Sequence, residues 1–108
     1  MQNKSLLPVN KRQQDIIDYA IVGVSAIDKE GTLLDFDHDE LMVTKTIYQQ
    51  SRKIILITDA NKFERKAPYV TANLKDVDIF VTDKKPNKDI INICKKNNVE
   101  LIISPPTF

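Results

Sequence analysis

An α/β fold with a mainly parallel sheet is what this chain predicts, and three observations predict it. Four short, largely apolar runs recur along it: Ile21–Ile27, Ile54–Ile57, Ile79–Thr82 and Val99–Ile103. Stretches of helical spacing separate them, and strands alternating with helices build a parallel sheet through right-handed crossovers. The first two runs empty into polar and acidic turns, around Asp28 to Glu40 and Thr58 to Lys62. Open α/β sheets bind ligands outside such carboxyl ends. The expectation is a three-layer arrangement of four strands, in the order β-α-β-(α)-β-α-β.

The elements follow in order. Residues 1–17 are polar and poorly patterned, and Pro8 and Asn10 argue against a long helix there. At most a helical turn or two fits near Lys11–Ile17. Ala20–Ile27 reads as the first strand, buried on both faces, because only Gly23 and Ser25 interrupt its apolar run. Lys29-Glu30-Gly31 is a turn in which Gly31 can take positive φ. Thr32–Phe36 is a short extended piece. Asp37 or Asp39 then caps a helix running to about Gln50, with Leu41, Val43, Ile47 and Tyr48 inward.

Lys53–Thr58 is the second strand, and Asp59 caps a short helical turn over Ala60–Phe63. Val70–Asp76 reads as irregular. Ile79–Thr82 is the third strand, followed by a turn from Asp83 to Asn87. Lys88–Asn98 is a helix with Ile90, Ile91, Ile93 and Cys94 inward, ended by Asn97-Asn98 because Asn tolerates the left-handed conformation. Val99–Ile103 is the last strand, stopped by Pro105-Pro106.

Composition narrows the function. A chain of 108 residues is one domain at most. A net charge of +1 gives no strong pull toward nucleic acid or membrane. The apolar runs are too short to span a bilayer, and the N-terminus lacks a signal-peptide core, so the cytoplasm is the expected compartment. Cys94 has no partner for an internal disulfide and falls on an apolar helix face, which reads as inert packing.

The acidic cluster Asp35, Asp37, His38, Asp39, Glu40 has no EF-hand spacing, and a helix start attracts acids through capping and the macrodipole. No metal and no cofactor is therefore expected. His38, the only histidine, reads as a surface residue. With two glycines in the chain there is no phosphate-cradling Gly-rich loop. The lysines at 84, 85, 88, 95 and 96 form no stripe interleaved with aromatics, so no DNA binding by this chain is expected. Lys62, three residues past Asp59, can place an ammonium over the sheet edge for a phosphate. It can equally form an ion pair that only caps the turn, and the residues alone leave both readings open.

One pattern goes further. G-V-S-A-I-D-x-x-G-x-L-x-x-F-D from Gly23, then Glu40, Ser51-Arg52, and D-x-x-K-F-x-R at Asp59–Arg65 resemble the effector domain of DeoR-type bacterial repressors. The resemblance runs over about Asp18–Ser104 and implies that residues 18–108 are the C-terminal part of such a domain. It implies a Rossmann-like sheet of the sugar-phosphate isomerase and CoA-transferase kind, left incomplete here, and so a homo-oligomer or poor solubility.

The resemblance also implies a partner, a phosphorylated sugar or polyol such as glycerol 3-phosphate. Ser25, Asp28, Glu40, Asp59 and Lys62 are the residues expected to line its site. Glu40 and Lys62 also match the catalytic Glu and the Lys of ribose-5-phosphate isomerases. Their Asp-Gly-Ala-Asp motif, however, is Val22-Gly23-Val24-Ser25 here, so no enzyme is expected. A sugar-phosphate isomerase-like enzyme and a degenerate protein-interaction remnant are the alternatives. Departures from the family pattern are Ala26 and Glu64, where Gly is usual, and Thr44-Lys45, where Lys-Arg is usual.

Overall fold

The computed structural model describes residues 16–105. In chain order the elements are β1 (Ile17–Val22), β2 (Ala26–Ile27), β3 (Thr32–Asp35), α1 (His38–Gln50), β4 (Ser51–Ile57), β5 (Tyr69–Asn73), β6 (Ile79–Thr82), α2 (Lys88–Lys96) and β7 (Glu100–Ile103). Two 3₁₀ turns, Ala60–Glu64 and Leu74–Asp76, flank β5. Strands β1, β4, β6 and β7 form one sheet in that order, and every pairing in it is parallel. Strands β2, β3 and β5 form a second, antiparallel sheet.

Local chemistry sets the element ends. The Asp37 carboxylate accepts the Asp39 N–H at 2.8 Å and starts α1. Asn87 does the same for α2 through the Ile90 N–H at 3.0 Å. Asn98, at φ 57°, turns the chain out of α2 into β7. At the amino end of the parallel sheet, Asp78 clasps three strands. Its carboxylate accepts from Ile54 N at 2.8 Å, its N–H donates to Ile54 O at 3.0 Å, and its carbonyl accepts from Glu100 N at 2.9 Å.

The core lies on one face of the parallel sheet. Val22, Leu56, Phe80 and Leu101 stand in one row across it. Ala20, Val22, Ile54, Leu56, Phe80 and Thr82 are buried there, packed with Ile27 and Leu33 of the second sheet and with Ile90 and Cys94 of α2. Side chains alternate along a strand, so the opposite face carries Tyr19, Ile21, Ile55, Ile57, Ile79, Val81 and Ile102. Tyr19 is 65% exposed and Ile21 69%, Ile57 and Ile102 are exposed as well, and the other three are only half-buried. That face is bare among the described residues.

Four expectations need correction. The strand read as Ala20–Ile27 is two strands in different sheets. The chain leaves the parallel sheet at Gly23–Ser25 and re-enters order as β2, so Ile21 is exposed rather than buried on both sides. The three-layer arrangement is two layers among the described residues, because the connections and the second sheet pack against a single face. Val70–Asp76, read as irregular, belongs to β5 and a capped 3₁₀ turn, with β5 held by non-local pairing to β3 that no local pattern signals. Val43 points out of α1, while Leu41 is buried and Ile47 and Tyr48 are half-buried. The helical turn near Lys11–Ile17 falls largely outside the described residues, and Ile17 itself begins β1. Cys94 is buried in the core as expected, and desolvation pushes its thiol above the usual value.

Candidate functional site

β1 and β4 run side by side, so their carboxyl ends open on the same edge of the sheet. The turn Gly23–Ser25 leaves one of them and Thr58–Asp59 the other. β2 packs against the 3₁₀ turn Ala60–Glu64, which joins these two ends. The chain passes from β1 through the β2–β3 hairpin before α1 begins, and the bond between Ser25 and Asp35 at the end of β3 brings the start of α1, three residues further on, near the turn that leaves β1.

Asp59 and Lys62 form the polar pair of that edge. Asp59 accepts the Asn61 N–H at 2.9 Å and meets the Lys62 ammonium at 3.3 Å. The Lys62 side chain is only 22% exposed, so most of its length lies against the fold. Desolvation lifts the Asp59 carboxyl, but the hydrogen bonds from Lys62 and Asn61 and the charges of Lys62 and Arg65 outweigh it and hold it below the usual carboxylate value. The 3₁₀ turn carrying Lys62 is itself tied down by Asp83 at the end of β6, whose carboxylate accepts the Ala60 N–H at 2.8 Å. Asp83 ends an apolar strand just as Asp59 does, and that shared position was the sequence signal for it.

Ser25 is half-buried and donates its hydroxyl proton to Asp35 at 2.8 Å. Asp35, 8% exposed, also accepts the Thr71 hydroxyl at 2.7 Å. The Tyr48 phenol is pushed well up by burial, with the charges of Asp76 and Asp35 adding to the effect, so it stays neutral. Asp35 and Thr71 were not read from the sequence as a site. Asp35 looked like one acid among five, and Thr71 lay in a stretch read as irregular.

Glu40 is exposed on the first turn of α1, where it lines an open cavity of about 390 Å³ with Asp39, Val43 and Thr44. Thr44, standing where the family usually has a lysine, faces this same hollow. Asp28 lies elsewhere. Its carboxylate accepts the N–H groups of Glu30 and Thr32, both at 2.9 Å, and so closes the β2–β3 turn. Gly31 at φ 82° completes that turn, which lies three residues along β2 from Ser25. The structure therefore gathers Asp59 and Lys62 directly, sets Ser25 and Glu40 on the same edge, and leaves Asp28 at the far turn. The acids from Asp35 to Glu40 disperse into a buried acceptor, a helix cap and two exposed side chains.

This edge is the carboxyl end of an open parallel sheet, where α/β folds take ligands, and the sequence says to which family the fold belongs. Residues 9–84 match the family described as the DeoR C terminal sensor domain, and the chain belongs to that family. The match begins ahead of Asp18, so the family's pattern reaches further toward the N-terminus than the motifs suggest. Among the similar proteins is the glycerol-3-phosphate regulon repressor of Haemophilus influenzae, 37% identical over 95 residues, which are 88% of this chain and 37% of that repressor. The glycerol-3-phosphate regulon repressor of Escherichia coli is 32% identical over 79% of this chain and 34% of its own length. The HTH-type transcriptional repressor GlcR of Bacillus subtilis is 30% identical over 82% of this chain and 34% of its own length. The chain thus spans about a third of the curated relatives it matches. No helix among the described residues is long and apolar enough to cross a membrane.

Proposed function

We propose that this chain is the C-terminal part of a repressor's effector-sensing domain and contributes to binding a phosphorylated sugar or polyol. Lys62 takes the phosphate as a point charge, while Ser25, Asp59 and Glu40 take ligand hydroxyls. The observation that carries this reading is the Asp59–Lys62 pair, built at the carboxyl end of β4 with the lysine largely buried. The lysine stem packed against the fold fixes where its ammonium stands beside Asp59. The names of the two glycerol-3-phosphate regulon repressors support a ligand of that size. Asp28 has no part in this site, since its carboxylate is used within its own turn. Catalysis is not proposed: the strand end where an isomerase has its two acids offers Val22 and Ser25.

In the repressor the ligand acts by binding one of two conformations more tightly. The test is calorimetric titration of this chain with glycerol 3-phosphate, and of its Lys62→Ala variant. Saturable heat that is weakened by about tenfold or more in the variant supports the reading. Equal affinity in both proteins removes Lys62 from the site, and the absence of saturable heat in the unaltered chain rejects the reading.

The bare face of the parallel sheet favours a second property of the same chain, association with another copy. A contiguous apolar surface of this kind marks an interface.

A further inference from the structure

We infer that Asp35 and Thr71 fix the direction of hydrogen bonding at Ser25, so that the site selects a ligand bearing an alcohol there and discriminates against the corresponding ketone. The inference rests on the effector-binding reading above and specifies the chemistry of its ligand.

A serine hydroxyl has one hydrogen to give and two lone pairs to receive. Its single hydrogen is committed here: Ser25 Oγ donates to Asp35 Oδ1 at 2.8 Å. A carboxylate can only accept, so this bond cannot reverse. The second oxygen of Asp35 is occupied by the Thr71 hydroxyl at 2.7 Å. Asp35 and Thr71 are each 8% exposed, which keeps water from competing for either bond. Ser25 alone of the three is half-exposed, and it lies in the turn leaving β1.

The backbone is arranged for this triplet. Between β3 and β5, Leu33 pairs with Ala72 but Leu34 pairs with Val70, so Thr71 is an extra residue on its strand. A bulge of this kind re-aims a side chain, and here it brings the Thr71 hydroxyl onto Asp35. Each oxygen of Asp35 thus holds a donor, and the member of the cluster that reaches the surface is Ser25, which offers its lone pairs outward. The group that meets them must bring a hydrogen. An alcohol brings one, whereas a ketone oxygen and a fully ionised phosphate bring none and face the negative charge of Asp35 behind the hydroxyl. The ligand is thereby oriented, with an alcohol at Ser25 and the phosphate at Lys62.

The group placed at Ser25 is the one on the carbon next to the phosphate-bearing carbon. The test compares, by calorimetry on the full chain, glycerol 3-phosphate, which has an alcohol there, with dihydroxyacetone phosphate, which has a ketone there and is otherwise the same. The unaltered chain is expected to favour the alcohol by about tenfold. Asp35→Asn replaces one acceptor oxygen by a donor NH₂, which frees a hydroxyl hydrogen to point outward. The preference should then fall to within about twofold or invert. Ser25→Ala removes the reading group together with its bond to Asp35 Oδ1. Asp35, 8% exposed behind it, lies too deep to take the ligand's hydrogen instead, so this variant too should bind the two ligands within about twofold of one another. Thermal melts of both variants establish that they fold, and if Asp35→Asn does not, Ser25→Ala alone decides. Equal affinity of the unaltered chain for alcohol and ketone overturns the inference while leaving the effector site standing, as does a preference that persists in Ser25→Ala. Failure to bind either ligand rejects both.

Discussion

The carboxylate of Asp83 holds the N–H of Ala60 at 2.8 Å across 23 residues of sequence, joining the end of β6 to the turn that presents Lys62. One strand end thereby positions the turn that carries Lys62 beyond its neighbour. Replacing Asp83 by Ala leaves the Ala60 N–H without its partner and should cost about 1–3 kcal/mol of stability by chemical denaturation. Affinity for glycerol 3-phosphate should fall alongside, although Asp83 would not touch the ligand. A variant that lost stability but bound as before would show that the turn keeps its geometry unaided.

Acid should weaken the same region in a predictable direction. The folded state holds the Asp59 carboxyl below its ordinary value, so its contribution to stability is fully present above about pH 4 and is lost as pH falls through the depressed folded value. The Asp59 side chain is 45% exposed, which keeps that contribution small through solvent screening. The measurement is the difference in melting temperature between this chain and Asp59→Asn as pH is lowered. It should be positive near neutrality and shrink toward zero in acid. A difference that grew on acidification would contradict the sign of the shift.

The bare sheet face should govern association. Tyr19 and Ile21 stand exposed on β1, which pairs only with β4 among the described residues. An open strand edge beside an apolar face promotes self-association. Sedimentation should show dimers or larger species, and the double variant Tyr19→Lys, Ile21→Lys should shift the chain toward monomer with little change in fold. A clean monomer before any substitution would argue that the face is not an interface between copies.

Mobility-shift assays with operator-length DNA at physiological salt should show no retention. With a net charge of +1 the chain releases few counterions on contact with phosphate, and that release drives most non-specific binding. Sequence-selective retention that weakened with salt would overturn this expectation.

How much was legible in the sequence follows from which interactions are local. Ile79–Thr82 was readable to the residue, because a short apolar run bounded by Asp78 and Asp83 has only one way to be buried. The cap at Asp59 was readable for the same reason, the start of α1 was narrowed to Asp37 or Asp39, and the end of α2 to Asn97-Asn98: each acts on backbone within a few positions. The second sheet was not. Its pairing of β3 with β5 spans a helix and a strand, and Thr71 owes its place to a bulge that leaves no trace in composition. The Asp59–Lys62 pair was visible as a spacing, but its burial was not. Asp28 was misplaced because the run Ile21–Ile27 looked continuous, which set Asp28 at a strand end instead of a hairpin turn.

The strand order β1-β4-β6-β7 carries a consequence of handedness. Each crossover moves to the next position in one direction, and right-handed crossovers that always advance the same way fall on one side of the sheet. The winding never reverses, so no length of chain added beyond β7 in the same sense could ever reach the opposite side. A crossover of this same sheet that covers Tyr19, Ile21 and Ile57 has to wind outward from β1 in the contrary direction. The place where two such senses of winding meet is the crevice at which α/β sheets take their ligands, and in this chain that crevice would open between β1 and whatever pairs with its free edge.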